Sequence, residues 1–127
     1  MKGKVALVTG GSSGIGRATA LAFAREGARV VIASRSKTRA TEAVQAIQKL
    51  GGEVTWIQTD VSNAAQVRQM VHRTVASFGR IDYAFNNGGS GGKGGMAADI
   101  EEDDWDRTIS GYLKSVWLCM KYEIRKC

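Results

Sequence analysis

The stretch TGGSSGIG, residues 9–16, decides how the rest of the chain is read. Before it, residues 4–9 (KVALVT) are short, β-branched and nearly all apolar, the pattern of a strand covered on both faces. After it, Ile15, Ala18, Ala22 and Phe23 recur at helical spacing over residues 14–26, and Gly27 ends the segment. A glycine-rich turn between a strand and a helix lets backbone approach an anion closely. Gly10, Gly14 and Gly16 keep side chains out of the way, and the helix start offers N–H donors at its positive end. Ser12 and Ser13 add hydroxyls. In this context the turn predicts a pyrophosphate site rather than glycines that only pack.

The same beat continues along the chain. Residues 29–34 (RVVIAS) read as a second strand, 37–50 as a second helix closed by Gly51-Gly52, and 54–58 as a third strand. Residues 64–78 carry Val67, Met70, Val71, Val75 and Phe78 on one stripe, and 81–86 read as a short fourth strand. Connections of this length cannot be hairpins, so the strands are parallel with right-handed crossovers. The expected fold is α/β, a Rossmann-like half with four parallel strands in order 3-2-1-4 and helices on both faces. Residues 88–95 (GGSGGKGG) look like a flexible linker, since no Walker spacing surrounds Lys93. From Asp103 onward, Trp105, Ile109, Tyr112, Leu113, Val116, Trp117, Met120 and Ile124 mark a long amphipathic helix. Acidic residues from Asp99 to Asp104 crowd its start and Lys121, Arg125 and Lys126 its end, as the helix dipole favours.

Composition bounds the function. A chain of 127 residues makes one domain, residues 1–127. Its net charge of +6 comes from bases spread over helices without interleaved aromatics, which argues against a nucleic-acid partner. No apolar run is long enough to span a membrane, and Met1-Lys2-Gly3-Lys4 leads straight into the first strand with no room for a signal peptide. Cys119 and Cys127 show no metal or disulfide spacing, and His72 is the single histidine, so a metal site is not expected. These features predict a cytoplasmic protein with free thiols.

TGGSSGIG resembles the TGxxxGxG fingerprint of the short-chain dehydrogenase/reductase family. Asp60-Val61 follows the third strand, where the family's Asp contacts adenine. Asn86-Asn87-Gly88-Gly89 looks like the family's NNAG motif with Gly88 in place of alanine. The resemblance runs to about Ile124, nearly the whole chain, and implies hydride transfer between a nicotinamide cofactor and a carbonyl or alcohol. It implies a cofactor set of Gly10, Ser12, Ser13, Gly14, Ile15, Gly16, Ser34, Arg35, Asp60, Val61, Asn87, Gly88 and Gly89. Which dinucleotide binds is read from Ala33-Ser34-Arg35-Ser36-Lys37. No carboxylate lies between Glu26 and Glu42 to hold a ribose 2′-hydroxyl, whereas Arg35 suits a 2′-phosphate. NADP(H) is therefore expected, with NAD(H) second.

The family's proton-transfer group is an Asn, a Ser, and a Tyr with a Lys four residues on. Tyr122 and Lys126 match that spacing, with Ser110 upstream, while Tyr112 stands where the family Asn usually sits. On one helix, at ~1.5 Å per residue, Ser110 and Tyr122 lie roughly 18 Å apart. They could then act together only if Gly111 broke the helix. The expectation is a chain cut before the family's catalytic Ser and Tyr-Lys elements, with no catalytic residue of its own. A minimal oxidoreductase using Tyr122 and Lys126, and a nucleotide-sensing module, are the alternatives. The fourth strand, exposed at a sheet edge, and the apolar terminal helix predict a homodimer or higher homo-oligomer.

Overall fold

The computed structural model describes residues 1–88 and 96–126. The expected linker beyond Gly88, the cofactor residue Gly89 and the thiol of Cys127 lie outside the described residues. The chain alternates β1 (Val5–Thr9), α1 (Gly14–Arg25), β2 (Arg29–Ser34), α2 (Lys37–Lys49), β3 (Val54–Gln58), α3 (Ala64–Phe78) and β4 (Tyr83–Asn86). A 3₁₀ turn at Ala97–Asp99 leads into α4 (Glu102–Thr108), a π-helical segment at Ile109–Lys114, and α5 (Ser115–Ile124).

All pairings are parallel, and the sheet order is β3-β2-β1-β4, as the sequence predicts. β1 is buried along its whole length because helices cover both faces. On one face Val8, Val30, Ile32 and Ile47 form a cluster, with Trp56 and Phe85 packed against it. On the other, Leu7, Val31, Ile57, Met70 and Leu118 form a second. Helix starts follow local chemistry: Ser36 Oγ accepts from the Arg39 N–H at α2, and Asn63 Oδ1 accepts from the Gln66 N–H at α3. β4 begins two residues later than its apolar pattern suggests. There the Asp82 carboxylate accepts the Val5 N–H at 2.9 Å, taking a donor that a longer ladder would use.

The terminal helix is continuous, as the sequence predicts. Gly111 does not break it: residues 102–124 run continuously through the wide turn at Ile109–Lys114. The side facing the sheet is not the apolar stripe. Gly111, Ser115, Leu118, Cys119 and Glu123 are buried, whereas Trp105, Tyr112, Leu113, Trp117, Met120 and Ile124 are exposed. A π turn holds more residues than an α turn, so it rotates every later side chain relative to a 3.6-residue period. The Ser115 hydroxyl donates to the Gly111 carbonyl at 2.7 Å within this segment.

Glu123, 3% exposed, accepts from the Asn86 side-chain amide at 2.9 Å through Oε1. Its Oε2 and the Asn86 Oδ1 are buried without partners among the described residues. Burial pushes the Glu123 carboxyl up, against the opposing effect of the Asn86 hydrogen bond. A raised folded-state pKa means the native state binds more protons than the unfolded chain. Stability is then greatest below the ordinary value of 4.5 and falls as pH rises through the raised value. An amide in place of the carboxyl keeps the acceptor and adds a donor for Asn86 Oδ1. Glu123→Gln should gain about 1 kcal/mol at pH 7 and flatten this pH dependence in denaturant titrations.

Candidate dinucleotide site

Parallel α/β sheets carry their sites at the C-terminal ends of the strands, where chain crosses to opposite faces. Here that edge holds a cleft of about 220 Å³. Gly10, Ser12 and Ser13 line it from the β1–α1 turn, Ser34 and Arg35 from the end of β2, Asp60 and Val61 after β3, and Gly88 after β4. Four separate segments named from the sequence thus meet at one place.

The turn itself depends on two close approaches. Gly10 has φ +65°, and a Cβ there would lie 2.6 Å from the Asn87 carbonyl oxygen. A Cβ on Gly16 would sit against the Gly10 carbonyl, 2.6 Å from its carbon. These contacts lock the first turn of α1 over the end of β1. Ser13 occupies the N-cap of α1 yet makes no side-chain capping bond, and no acidic residue occupies the first turn. α2 and α3 have capped starts, so α1 is the one of these three whose first-turn donors no side chain serves. An uncapped start opening on a cleft suits a phosphate group.

Gly14, Ile15, Gly16 and Asn87 do not line the cleft wall. Gly16 is buried beneath the turn, and Ile15 stands 71% exposed. The Asn87 and Gly88 N–H groups both donate to Thr9 Oγ1 at 2.9 Å, so this motif braces β4 against β1. Thr9, buried at the end of β1, was not singled out by sequence reasoning. Its place immediately before the glycine turn was the available signal.

Asp60 is held by Ser62, whose hydroxyl donates to Oδ1 at 2.6 Å and whose N–H donates at 3.0 Å. The Ser62 hydroxyl, more than the N–H or Arg35, keeps the carboxyl below its ordinary value against the cost of partial burial. The Asp60 N–H donates to the Gln66 side chain at 2.8 Å, fixing the loop on α3. An ionised acceptor therefore stands across the cleft from Arg35. The sequence did not single out Ser36, Arg39, Thr59, Ser62 or Gly111, all of which also line it. Arg39 is one helical turn into α2 from Arg35 and adds a second guanidinium-bearing residue. Gly111 reaches the cleft from the π-helical segment, a geometry that a regular helical period hides.

Tyr122 lies elsewhere. It packs on the apolar cluster with Val71 and lines a different cleft, between α3 and α5, together with Arg68, His72 and Lys126. Cys119 is buried, and its thiol is pushed up to about 12 by burial and then by Glu123, which makes it a poor nucleophile. No helix among the described residues is long and apolar enough to cross a membrane.

Sheet order, glycine turn and cleft together define a Rossmann-type nucleotide-binding fold. The model of the short chain dehydrogenase family matches residues 4–126, so the chain belongs to this family of oxidoreductases. It is 40% identical over 127 residues to short chain dehydrogenase/reductase astE of Aspergillus oryzae, covering 99% of this chain and 49% of that protein. A metagenomic short-chain oxidoreductase in complex with NADP superposes with TM-score 0.93 at 32% identity, over 98% of this chain and 57% of its own. NAD⁺-bound xylitol dehydrogenase superposes with TM-score 0.94 at 31% identity, over 98% of this chain and 48% of its own. The chain spans about half the length of such relatives.

Proposed function

We propose that this chain is an NADP(H)-binding module of the short-chain dehydrogenase/reductase type, which by itself turns over little or no substrate. The observation that carries the cofactor choice is the end of β2. Ser34, Arg35 and Arg39 line the cleft there, and no carboxylate lies between Glu26 and Glu42. Solved relatives include both an NADP and an NAD⁺ complex, so family membership alone leaves the choice to these side chains. The glycine turn suits a pyrophosphate because the uncapped start of α1 opens on the cleft beside Gly10, Ser12 and Ser13. In this reading Gly10, Ser12 and Ser13 hold the pyrophosphate side, and Gly14, Ile15 and Gly16 shape the turn and the start of α1 behind them. Ser34 and Arg35 hold the 2′-phosphate, Asp60 and Val61 the adenine, and Gly88, braced with Asn87 on Thr9, closes the site from β4. When bound, the nicotinamide supplies or accepts a hydride.

Low turnover rests on what faces that cleft. A Tyr-Lys pair serves carbonyl reduction by moving a proton beside the cofactor. Tyr122 and Lys126 line the α3–α5 cleft, not the Arg35 cleft. Purified chain with NADPH and a panel of aldehydes and ketones is expected to oxidise cofactor no faster than a blank. Turnover that vanished in Tyr122→Phe would overturn this part of the proposal.

The same reading takes the protein as a cytoplasmic homodimer, which fits the free, buried Cys119 thiol. The exposed face of residues 102–124 carries Trp105, Tyr112, Leu113, Trp117 and Met120, a row that water solvates poorly. Its ends are oppositely charged, with Glu101, Glu102 and Asp103 at one and Lys121, Arg125 and Lys126 at the other. Antiparallel pairing of two copies about a two-fold axis covers the apolar row and sets acid against base. Light scattering at high micromolar concentration should give a dimer that Trp117→Asp converts to monomer. A monomer in the unmutated protein would contradict the pairing.

A further inference from the structure

We infer that Trp56 is a positioning residue for cofactor selection, holding the Ser34 hydroxyl as a donor toward a ribose 2′-phosphate. The inference rests on the NADP(H) reading above and extends it to a residue outside the cleft lining. Trp56 Nε1 donates to Ser34 Oγ at 3.0 Å. The register pairs Ser34 with Gln58 and Ile32 with Trp56, so Trp56 is a diagonal cross-strand neighbour of Ser34 on the same sheet face. Its partly buried ring packs against the cluster containing Val30, Ile32 and Ile47, which fixes the indole.

An indole N–H can only donate, whereas a serine hydroxyl has one proton and two acceptor sites. Trp56 therefore fills one acceptor site of Ser34 and cannot take its proton. Among the described residues no acceptor is recorded for that proton, and Ser34 lines the cleft at 9% exposure. The backbone around it is fixed as well: the Ser34 carbonyl accepts from the Thr59 N–H at 3.0 Å. A phosphate has only acceptors at neutral pH apart from a residual proton, so it matches a hydroxyl biased to donate beside two arginines. A ribose 2′-hydroxyl can also accept from Ser34, but it is uncharged, so it gains less from a fixed donor than a phosphate does.

The test is calorimetric titration of the 127-residue chain with NADPH and NADH, before and after Trp56→Phe, which keeps an aromatic ring but loses the N–H. NADPH affinity should fall about five-fold, the loss of one modest hydrogen bond, while NADH changes less than two-fold. Ser34→Ala should show the same selective loss, and adding Trp56→Phe to it should cost nothing further. Equal losses for both cofactors, or full additivity of the two substitutions, would reduce Trp56 to a packing residue and overturn the inference. If Trp56→Phe misfolds by circular dichroism, Ser34→Ala decides: unchanged NADPH affinity there overturns the inference. A wild-type chain without NADPH preference is a different failure, that of the NADP(H) reading, and the inference falls with it.

Discussion

Gly16→Ala is expected to destabilise the chain by about 3 kcal/mol and to abolish dinucleotide binding. The added methyl would sit against the Gly10 carbonyl and come 3.1 Å from the Asn87 side-chain nitrogen. The Asn87 amide could swing aside, but the Gly10 carbonyl is backbone and cannot. Gly10 is the turn itself, tied to β2 by its N–H donating to the Ala33 carbonyl at 2.8 Å. Relief therefore requires α1 to lift from the end of β1, which disturbs the packing of Ala20 and Ala24 on Val8 and Ile32. Because single domains are stable by only about 5–15 kcal/mol, the loss is a large fraction of the whole. Urea denaturation should show it as a lowered midpoint. Gly14→Ala is the control. Gly14 has φ +57° but nothing within 4 Å, so only backbone strain of about 1–2 kcal/mol is expected there.

Arg35→Asp is expected to weaken NADPH by about a hundred-fold or more while sparing or improving NADH. Two effects add. Loss of charge-assisted hydrogen bonds to a 2′-phosphate costs about 1.5–3 kcal/mol, and each 1.4 kcal/mol is tenfold in affinity. The new carboxylate then repels the phosphate but can accept from a ribose 2′-hydroxyl, the arrangement of NAD-selective sites. Arg39, which also lines the cleft, limits the loss for NADPH but does nothing for NADH. The two cofactors titrated on the same variant separate this from general damage, since misfolding lowers both affinities together.

The parts legible in sequence were those with short-range physical signatures. The β-branched runs gave the strands, the glycines capped the crossovers, and right-handed connection fixed the order β3-β2-β1-β4. The glycine turn and Asp60 reached the same cleft because each directly follows a strand of a parallel sheet. The terminal helix was legible as continuous and as carrying more apolar bulk than the sheet covers, but not the face it turns to the sheet. Periodicity locates an apolar stripe but does not say which face of a helix meets the sheet, and within α5 the stripe of Trp117, Met120 and Ile124 is the exposed one. Ser115, Cys119 and Glu123 then face the sheet, with Glu123 meeting Asn86 across a contact that no local pattern encodes. Arg39 and Trp56 were missed for a related reason. Arg39 reaches the cleft only through the way α2 starts, and Trp56 meets Ser34 only through the β2–β3 register.

The central claim is that the cleft at the ends of β1, β2 and β3 selects the 2′-phosphorylated dinucleotide. Its most direct test is parallel calorimetric titration of the unmutated chain with NADPH and NADH at physiological ionic strength. NADPH is expected to bind saturably, 1:1, at least tenfold tighter than NADH. Equal affinities, or a preference for NADH, would contradict it.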